Sequence, residues 1–268
     1  MPRVWYDDLL GVLLEPDAER KAGKAQAVLA VLDSYALRVA PHGLPPARPA
    51  RPSQPELVPP HAVPRRGLGS VQGRIALLHA LAHIELNAID LAADMALRFA
   101  SAVPDEDRAG FVGDWIRVMG EEGLHFSLLT ERLSDLGAAY GDLPAHDGLW
   151  EAAQKTSGDV LARLAVAPLV LEARGLDVTP TLIEKLTAIR DISSAAVLQR
   201  IYDDEIGHVR TGVRWFLRLC SSQNEEPEAS FHKFVMRYFP QGPKPPFNIW
   251  ARGAADLPQG WYQGLVPQ

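Results

Sequence analysis

The chain has 268 residues, which is enough for one large domain or two small ones. Its hydrophobic fraction of 47% and charged fraction of 22% are those of an ordinary soluble globular protein. The net charge of −6 argues against a nucleic-acid-binding surface over the whole molecule. The single cysteine, Cys220, excludes an intramolecular disulfide and a thiolate-ligated iron–sulfur cluster.

The location of the protein is the next expectation. The first 20 residues lack a basic segment followed by a clean apolar core, so we predict no signal peptide. No apolar run approaches the roughly 18 residues that a membrane span needs. We therefore expect a cytoplasmic protein without a membrane partner, and a single cysteine fits such a reducing compartment.

A proline-rich arm follows an amphipathic helix that is predicted over residues 17–40. Nine of the 22 prolines lie between Pro41 and Pro64, so this stretch can form neither a helix nor a central strand. We expect an extended arm that lies along the protein's own surface. A docking strip for an acidic partner is the alternative, because the arm contains several arginines and only one acid, Glu56.

Helical periodicity dominates the rest of the chain, with Ser70 as an N-cap and Thr179–Pro180 as the cap and first residue of a short helix. The predicted helices cover residues 70–100, 104–136, 149–174, 179–190, 193–219 and 228–238. Four of them are long and joined by short connections, which predicts an all-α bundle. The predicted domains are residues 1–69 for the N-terminal helix and arm, 70–220 for the bundle, and 221–268 for a C-terminal helix and tail that pack on it.

Each of the four long helices carries one carboxylate on its apolar face. Residues three, four and seven apart share a helix face, and an ionised carboxylate is costly to bury there without a partner. Two of the four carboxylates are followed three residues later by a histidine. The six side chains are Glu85, Glu122, His125, Glu172, Glu205 and His208.

One glutamate from each of two helices and a Glu-x-x-His from each of the other two are the ligands of a di-iron or di-manganese carboxylate site. A lone Glu-x-x-His pair is a weak signal, whereas this fourfold pattern is specific. Carboxylates bridge and neutralise two hard cations, and neutral imidazoles suit iron. We therefore predict two iron ions as the cofactor, with manganese or a mixed manganese–iron pair as alternatives.

The spacing of the glutamates also predicts the connections. An antiparallel hairpin brings Glu85 and Glu122 to one level, whereas a hairpin between the second and third long helices leaves Glu122 and Glu172 at different levels. The dozen residues of 137–148 can reach roughly 36 Å when extended. A long crossover between the second and third bundle helices repairs most of the mismatch, and this is the topology of a ferritin-like four-helix bundle.

Further polar residues flank the six predicted ligands. Metal-bound histidines usually donate their free N–H to an outer acceptor, so we expect Asp204 to serve His125 and Glu121 to serve His208, with solvated helix charges as the alternative. His83 belongs to this outer group as well. His79 and His83 are expected to flank the site or to face solvent, and a further metal or proton-relay pair is the sharper alternative.

Two residues of the third long helix complete the prediction. Pro168 lies one turn before Glu172, has no N–H to donate, and should kink or widen the helix beside the metals. Arg174 is expected to form a structural ion pair, with a substrate anion as its alternative partner. No catalytic residue beyond the metal ligands is predicted.

Five segments resemble a known family. HALAHIELNAIDLA, EEGLHFSLLTERL, LEARGLDVTP, DDEIGHVRTGVRWF and KPPFNIWARGAA are similar to the uncharacterised bacterial ferritin-like proteins called domain of unknown function 455, from about residue 70 to the tail. The wider ferritin-like di-iron carboxylate superfamily implies the same six metal ligands. In its reductase and monooxygenase branches an acid before the second Glu-x-x-His orients a histidine, which Asp204 matches. The resemblance implies no substrate.

The favoured functional hypothesis is an oxidoreductase of the oxygen-activating di-iron oxidase or hydroxylase type. Its expected partners are a small organic substrate and dioxygen, with a separate reductase and a homodimer as further options. The alternatives are a ferroxidase or iron-handling protein, a rubrerythrin-like peroxidase, and a metal-stabilised binding module without turnover. The net charge disfavours RNA as a partner, although the arginines near the arm leave it open.

Overall fold

The computed structural model describes residues 4–41, 43–63 and 67–266, and within these ranges it is helical with no β-strand. The all-α prediction is confirmed. His42 and Pro64–Arg66 of the predicted arm lie outside the described residues. The α-helices are α1 Trp5–Leu13, α2 Ala18–Ala30, α3 Val71–Phe99, α4 Asp105–Asp135, α5 Gly148–Lys155, α6 Val160–Val166, α7 Ala173–Ala188, α8 Ile192–Gln223, α9 Pro227–Tyr238, α10 Ile249–Ala254 and α11 Gln259–Gln263.

The chain forms two compact units, Met1–Glu151 and Ala152–Gln268. Helices α1 to α4 belong to the first unit, and α6 to α11 belong to the second. The sequence-based division at residues 69 and 220 stays a prediction. So does the ferritin-like arrangement of the four long helices with its crossover.

In the first unit, α3 and α4 pack against each other and are joined by a short connection, which makes them antiparallel neighbours. The side chain of Ser70 accepts a hydrogen bond from the Gly73 N–H at 3.0 Å, so the predicted cap of α3 is confirmed. Helix α2 lies against α4 because α4 presents Gly120 there. A Cβ added at Gly120 would lie 2.5 Å from Cβ of Leu29, so only glycine permits this approach.

The N-terminal prediction needs two corrections. The helix expected over residues 17–40 ends at Ala30, and a 3₁₀ turn over Leu32–Ser34 follows it. The chain turns there because extended Tyr35 packs back and donates its O–H to Oδ2 of Asp8 at 2.6 Å. Helix α1 was not predicted, although its buried residues Trp5, Leu9, Val12 and Leu13 have helical spacing.

The arm lies along its own unit, in agreement with the prediction. Its backbone carbonyls accept hydrogen bonds from side chains of α2, α3 and α5. The Arg98 guanidinium donates to Pro46 O at 3.1 Å, the Lys21 ammonium donates to Ala50 O at 3.0 Å, and the indole of Trp150 donates to Ala47 O at 3.2 Å. Further along, Val58 N–H donates to Ala145 O at 2.8 Å, which ties the arm to the connection after α4.

The third long helix is more broken than predicted. Helix α5 ends at Lys155. Asp159 then caps α6, because its side chain accepts hydrogen bonds from the N–H groups of Leu161 and Ala162, at 2.9 and 3.1 Å. A π-helical segment, Ala167–Glu172, then connects α6 to α7. This segment is called the π turn below.

The predicted break at Thr179–Pro180 is wrong, because Pro180 lies inside α7. The proline removes one backbone hydrogen bond. Leu176 and Leu186, on either side of it, are buried, and α7 packs against α8. This burial outweighs the lost bond, so the helix continues. Helices α8 and α9 lie close to their predicted bounds, whereas α10 and α11 in the tail were not predicted.

One helical segment, Val71–Ala102, is long and apolar enough to cross a membrane by length and composition alone, unlike the sequence-based expectation. Its most apolar window is 67% buried inside the protein. It also buries Glu85, Asp90 and Asp94. Such burial is typical of the core helix of a soluble protein.

Candidate metal centre

Three predicted ligands meet in the first unit. Glu85 lies on α3, and Glu122 and His125 lie on α4. Nδ1 of His125 is 3.1 Å from Oε2 of Glu122 and 3.5 Å from Oε2 of Glu85. Each of the three offers a ligand atom within 4.8 Å of the others, and their exposed fractions are 3% for Glu85 and 0% for Glu122 and His125. These residues are called the first triad.

The first triad places two carboxyl groups close together in the buried interior. Burial, and then the neighbouring charge of Glu122, raise the pKa of Glu85 well above its ordinary value, while His125 opposes the shift. Burial and the neighbouring carboxyl group therefore both oppose ionisation of Glu85. A divalent cation would remove the conflict, because it would neutralise both carboxylates.

The second unit holds the other three predicted ligands, called the second triad. Glu205 and His208 lie on α8, and Glu172 is the last residue of the π turn. Nδ1 of His208 is 3.8 Å from Oε1 of Glu205. His208 is buried, Glu205 keeps 12% of its side chain exposed, and Glu172 is half-buried. The second triad is thus more open than the first.

The π turn confirms the irregularity that the sequence predicted at Pro168. Proline has no N–H, so the regular i to i−4 bond is lost at this position. The Ala173 N–H instead donates to Pro168 O, five residues back, which is the hydrogen bond of a π-helix. Single π turns inside α-helices frequently occur at functional sites. Here the π turn ends on a predicted ligand.

The predicted outer residues are located as follows. Asp204 on α8 accepts a hydrogen bond from Nε of Arg200 at 2.7 Å, and Glu121 on α4 is half-buried. The hydrogen bonds that we expect Asp204 and Glu121 to accept from His125 and His208 stay predictions. His83 is buried, and both of its ring nitrogens bond to the connection after α4.

His79 and His83 hold this connection, residues 137–147, onto α3. Since a carbonyl can only accept, Nε2–H of His83 donates to His146 O at 3.1 Å, and Nδ1 accepts from the Tyr140 O–H at 2.8 Å. Nε2 of His79 accepts from the Gly141 N–H at 2.9 Å. Both histidines are buried, so neither faces solvent, and their place beside the metal site stays a prediction. Tyr140, which stacks on both rings, was missed in the sequence.

A buried charge network in the first unit was also missed. The Lys21 ammonium lies 2.5 Å from Oδ1 of Asp90, and Arg51 of the arm lies 3.0 Å from Oδ2. Arg51 also donates to Oδ1 of Asn87 at 2.8 Å. Burial raises the pKa of Asp90 and lowers the pKa of Lys21. The acid in the apolar stripe of α3 was the only signal, and its partners lie far away in the sequence.

Arg174 has a structural role, as expected. It pairs with Asp177 at 3.4 Å and donates to Lys244 O in the tail at 2.7 Å. Asp177 also accepts two hydrogen bonds from Arg252, at 2.8 and 2.7 Å. These contacts fasten the tail to α7, the helix that begins next to Glu172.

The residues present fit a divalent metal. Each triad offers two carboxylates and one imidazole, a set that suits iron and manganese. Among the described residues, Oε2 of Glu85 is buried and makes no hydrogen bond, although His125 lies 3.5 Å away. Buried polar atoms are rarely left in this state. A metal ion is a partner that would satisfy this oxygen.

Comparisons with known proteins address the family. An uncharacterised protein of Haemophilus influenzae is 46% identical over 191 residues, which is 70% of this chain and 66% of that protein, just under two thirds of its length. No solved structure matches the chain. The family described as "Protein of unknown function (DUF455)" matches residues 14–263. This match covers most of the chain, and the chain therefore belongs to that family.

Proposed function

We propose that the two triads together hold two iron ions and that the protein is an oxygen-activating oxidase or hydroxylase of a small organic substrate. The observation that supports this most is the repetition of one ligand set. Each compact unit carries one glutamate and one Glu-x-x-His on neighbouring helical segments, α3 with α4 and the π turn with α8. Two such sets are the ligands of ferritin-like di-iron carboxylate proteins.

The side chains have separate roles in this proposal. The glutamates of both triads would hold the metal ions and neutralise their charge. His125 and His208 would each supply an imidazole nitrogen and complete one ligand set. The full burial of Glu122 and His125 keeps water away from the first triad. An iron pair held by such ligands would supply the reductive activation of dioxygen.

The setting of the protein is part of the proposal. We place it in the cytoplasm, where the buried Cys220 stays reduced; burial raises the pKa of its thiol to about 11. A separate reductase would deliver electrons, since one cysteine provides no iron–sulfur centre. Manganese, or a mixed pair, is the alternative metal, because the same ligands suit it.

Metal analysis of the full-length protein tests the proposal. The protein is produced with iron, reduced without air and then exposed to oxygen while its optical spectrum is recorded. We expect about two irons per chain and a visible band that changes on exposure. Glu122→Gln and Glu172→Gln should each lower the metal content. Their matched controls are Glu131→Gln on α4 and Glu184→Gln on α7, since both are exposed acids on the same helices.

The outcomes separate the hypotheses. Two irons per chain that react with oxygen support the oxidase or hydroxylase proposal. Bound metal that never reacts with oxygen overturns the oxidase or hydroxylase proposal and favours a metal-stabilised binding module. A chain that binds no transition metal, or equal metal loss in the control variants, overturns the two-metal centre itself.

A further inference from the structure

Pro168 of the π turn lies directly against Gly212 of α8. A Cβ added at Gly212 would lie 2.7 Å from Cβ and 2.9 Å from Cγ of Pro168, and 3.3 Å from Cδ2 of Leu169. Distances below 3.0 Å require a displacement, and the proline ring is too rigid to move aside alone. The absence of a side chain at Gly212 is therefore what lets the ring sit there.

The contact lies one turn from a predicted ligand on each helix. Pro168 is four residues before Glu172, and Gly212 is four residues after His208. The ring therefore connects the π turn to α8 next to both side chains. All of these residues belong to the second unit.

The π turn sets the direction of the side chain at its last residue, Glu172. A π turn takes in about one residue more than an α turn, which rotates the following residues by roughly 100°. In an unbroken α-helix from α6 onward, Leu171 would take the direction that Glu172 has. Loss of the π turn would therefore replace a carboxylate with an apolar side chain at that position.

We propose that Pro168, seated against Gly212, is a positioning residue for the metal ligand Glu172. The proline prevents the regular hydrogen bond and so imposes the π turn. The glycine fixes the position of the π turn along α8. Together they set the rotation of the Glu172 carboxylate relative to Glu205 and His208. This inference rests on the proposed two-metal centre and adds to it the device that orients one ligand.

The test compares Pro168→Ala, Gly212→Ala and Glu172→Gln in the full chain. The matched control is Gly207→Ala, because an added Cβ at Gly207 on α8 meets nothing within 4 Å. Cobalt(II) binding is followed by calorimetry and by the visible absorption of the bound ion. We expect Pro168→Ala and Gly212→Ala to weaken one of the two cobalt sites about 10–100-fold and to match the spectrum of Glu172→Gln. Gly207→Ala should behave like the wild type.

The double variant Pro168→Ala with Gly212→Ala separates positioning from packing. With the ring removed, the added methyl group has room, so we expect thermal stability to recover relative to Gly212→Ala. Cobalt affinity should not recover, because the proline that imposes the π turn is gone. Wild-type cobalt binding in Pro168→Ala, or recovered binding in the double variant, would overturn the proposal.

A readout without metal keeps this inference distinct from the proposed function. Hydrogen exchange at the amides of residues 169–173 is measured in the metal-free protein. We expect a changed exchange pattern in Pro168→Ala and Gly212→Ala and the wild-type pattern in Gly207→Ala. If the wild type binds no metal, the proposed function fails, but the hydrogen-exchange measurement still tests the origin of the π turn. Unchanged exchange in both variants would overturn the positioning device.

Discussion

Glu85 combines a large cost of burial with a proposed role as a metal ligand. Its carboxyl group is buried in the first triad, next to Glu122, and both burial and that neighbour raise its pKa. Such a group opposes folding of the metal-free protein. Functional sites commonly retain residues of this kind, at the expense of stability. Stability and metal binding should therefore respond in opposite directions to a change at Glu85.

The variant Glu85→Gln tests this opposition. The amide keeps the volume of the side chain and removes one of two neighbouring carboxylates. In the metal-free state we expect an increase of about 1 kcal/mol in the free energy of unfolding, or roughly 2–4 °C in Tm. Metal binding should weaken at the same time. Thermal unfolding in a chelator, with Glu131→Gln as the control, measures the first effect, and a destabilised metal-free variant would contradict it.

The six candidate ligands could be predicted because polar residues stood out in apolar helix stripes. Glu122 and His125 share a face of α4, and this local spacing survives in the fold. The partners of buried groups were less predictable. Tyr140 meets His83 from 57 positions away, and Arg252 meets Asp177 from 75 positions away. Such pairs depend on tertiary packing, which has no local signal in the sequence.

At the scale of elements, long amphipathic helices were predicted well and short or irregular ones poorly. The ends of α3 and α4 lie within a residue or two of the predicted bounds, because a cap or an acidic first turn marks them. The five or six residues of α10 and α11 are too few for a periodic signal. Pro168 was expected to kink or widen a helix and Pro180 to begin one, and only Pro168 interrupts the regular α-helix.

The connection over residues 137–147 should loosen in acid. Burial lowers the pKa of His79 and lowers that of His83 to about 4, and both rings accept hydrogen bonds from the connection only when neutral. The unfolded chain takes up these protons near pH 6.5 and the folded chain only at lower pH. The stabilisation is therefore present above about pH 6.5 and is lost as the pH falls below it.

The variant His79→Gln isolates one of these two groups. Its side-chain carbonyl can accept from the Gly141 N–H without titrating. We expect the variant to lose less unfolding free energy than the wild type between pH 7 and pH 5. Urea unfolding at the two pH values measures the difference. An equal loss in both proteins would show that His79 does not contribute to acid sensitivity.

At the scale of the whole molecule, each compact unit supplies one triad and fastens its own extension. In the first unit the arm is held to α2, α3 and α5. In the second unit the tail is held to α7 by a buried pair, in which Arg252 is 1% exposed and its guanidinium also lies over the rings of Phe247 and Tyr262. The extensions are therefore part of the folded core of each unit.

Removal of Arg252 should destabilise the second unit strongly. The variant Arg252→Met removes two short hydrogen bonds from buried Asp177, which keeps Arg174 at 3.4 Å and the Asn248 N–H at 3.0 Å. We expect this loss to cost about 3 kcal/mol of unfolding free energy. Replacing both residues with apolar ones, Arg252→Met with Asp177→Leu, should recover part of this loss. Chemical denaturation measures both, with Arg237→Met on the exposed face of α9 as the control. A loss no larger than that of the control would contradict a core role for the tail.

The way in which the arm is held has a consequence for its variation among relatives. Lys21, Arg98 and Trp150 bond to backbone carbonyls of the arm at Ala50, Pro46 and Ala47. Every amino acid carries such a carbonyl, so the residues that accept can change while the path of the arm stays the same. The three donors have no such freedom. Related chains should therefore keep the donors on the helices and diverge along the arm that they hold.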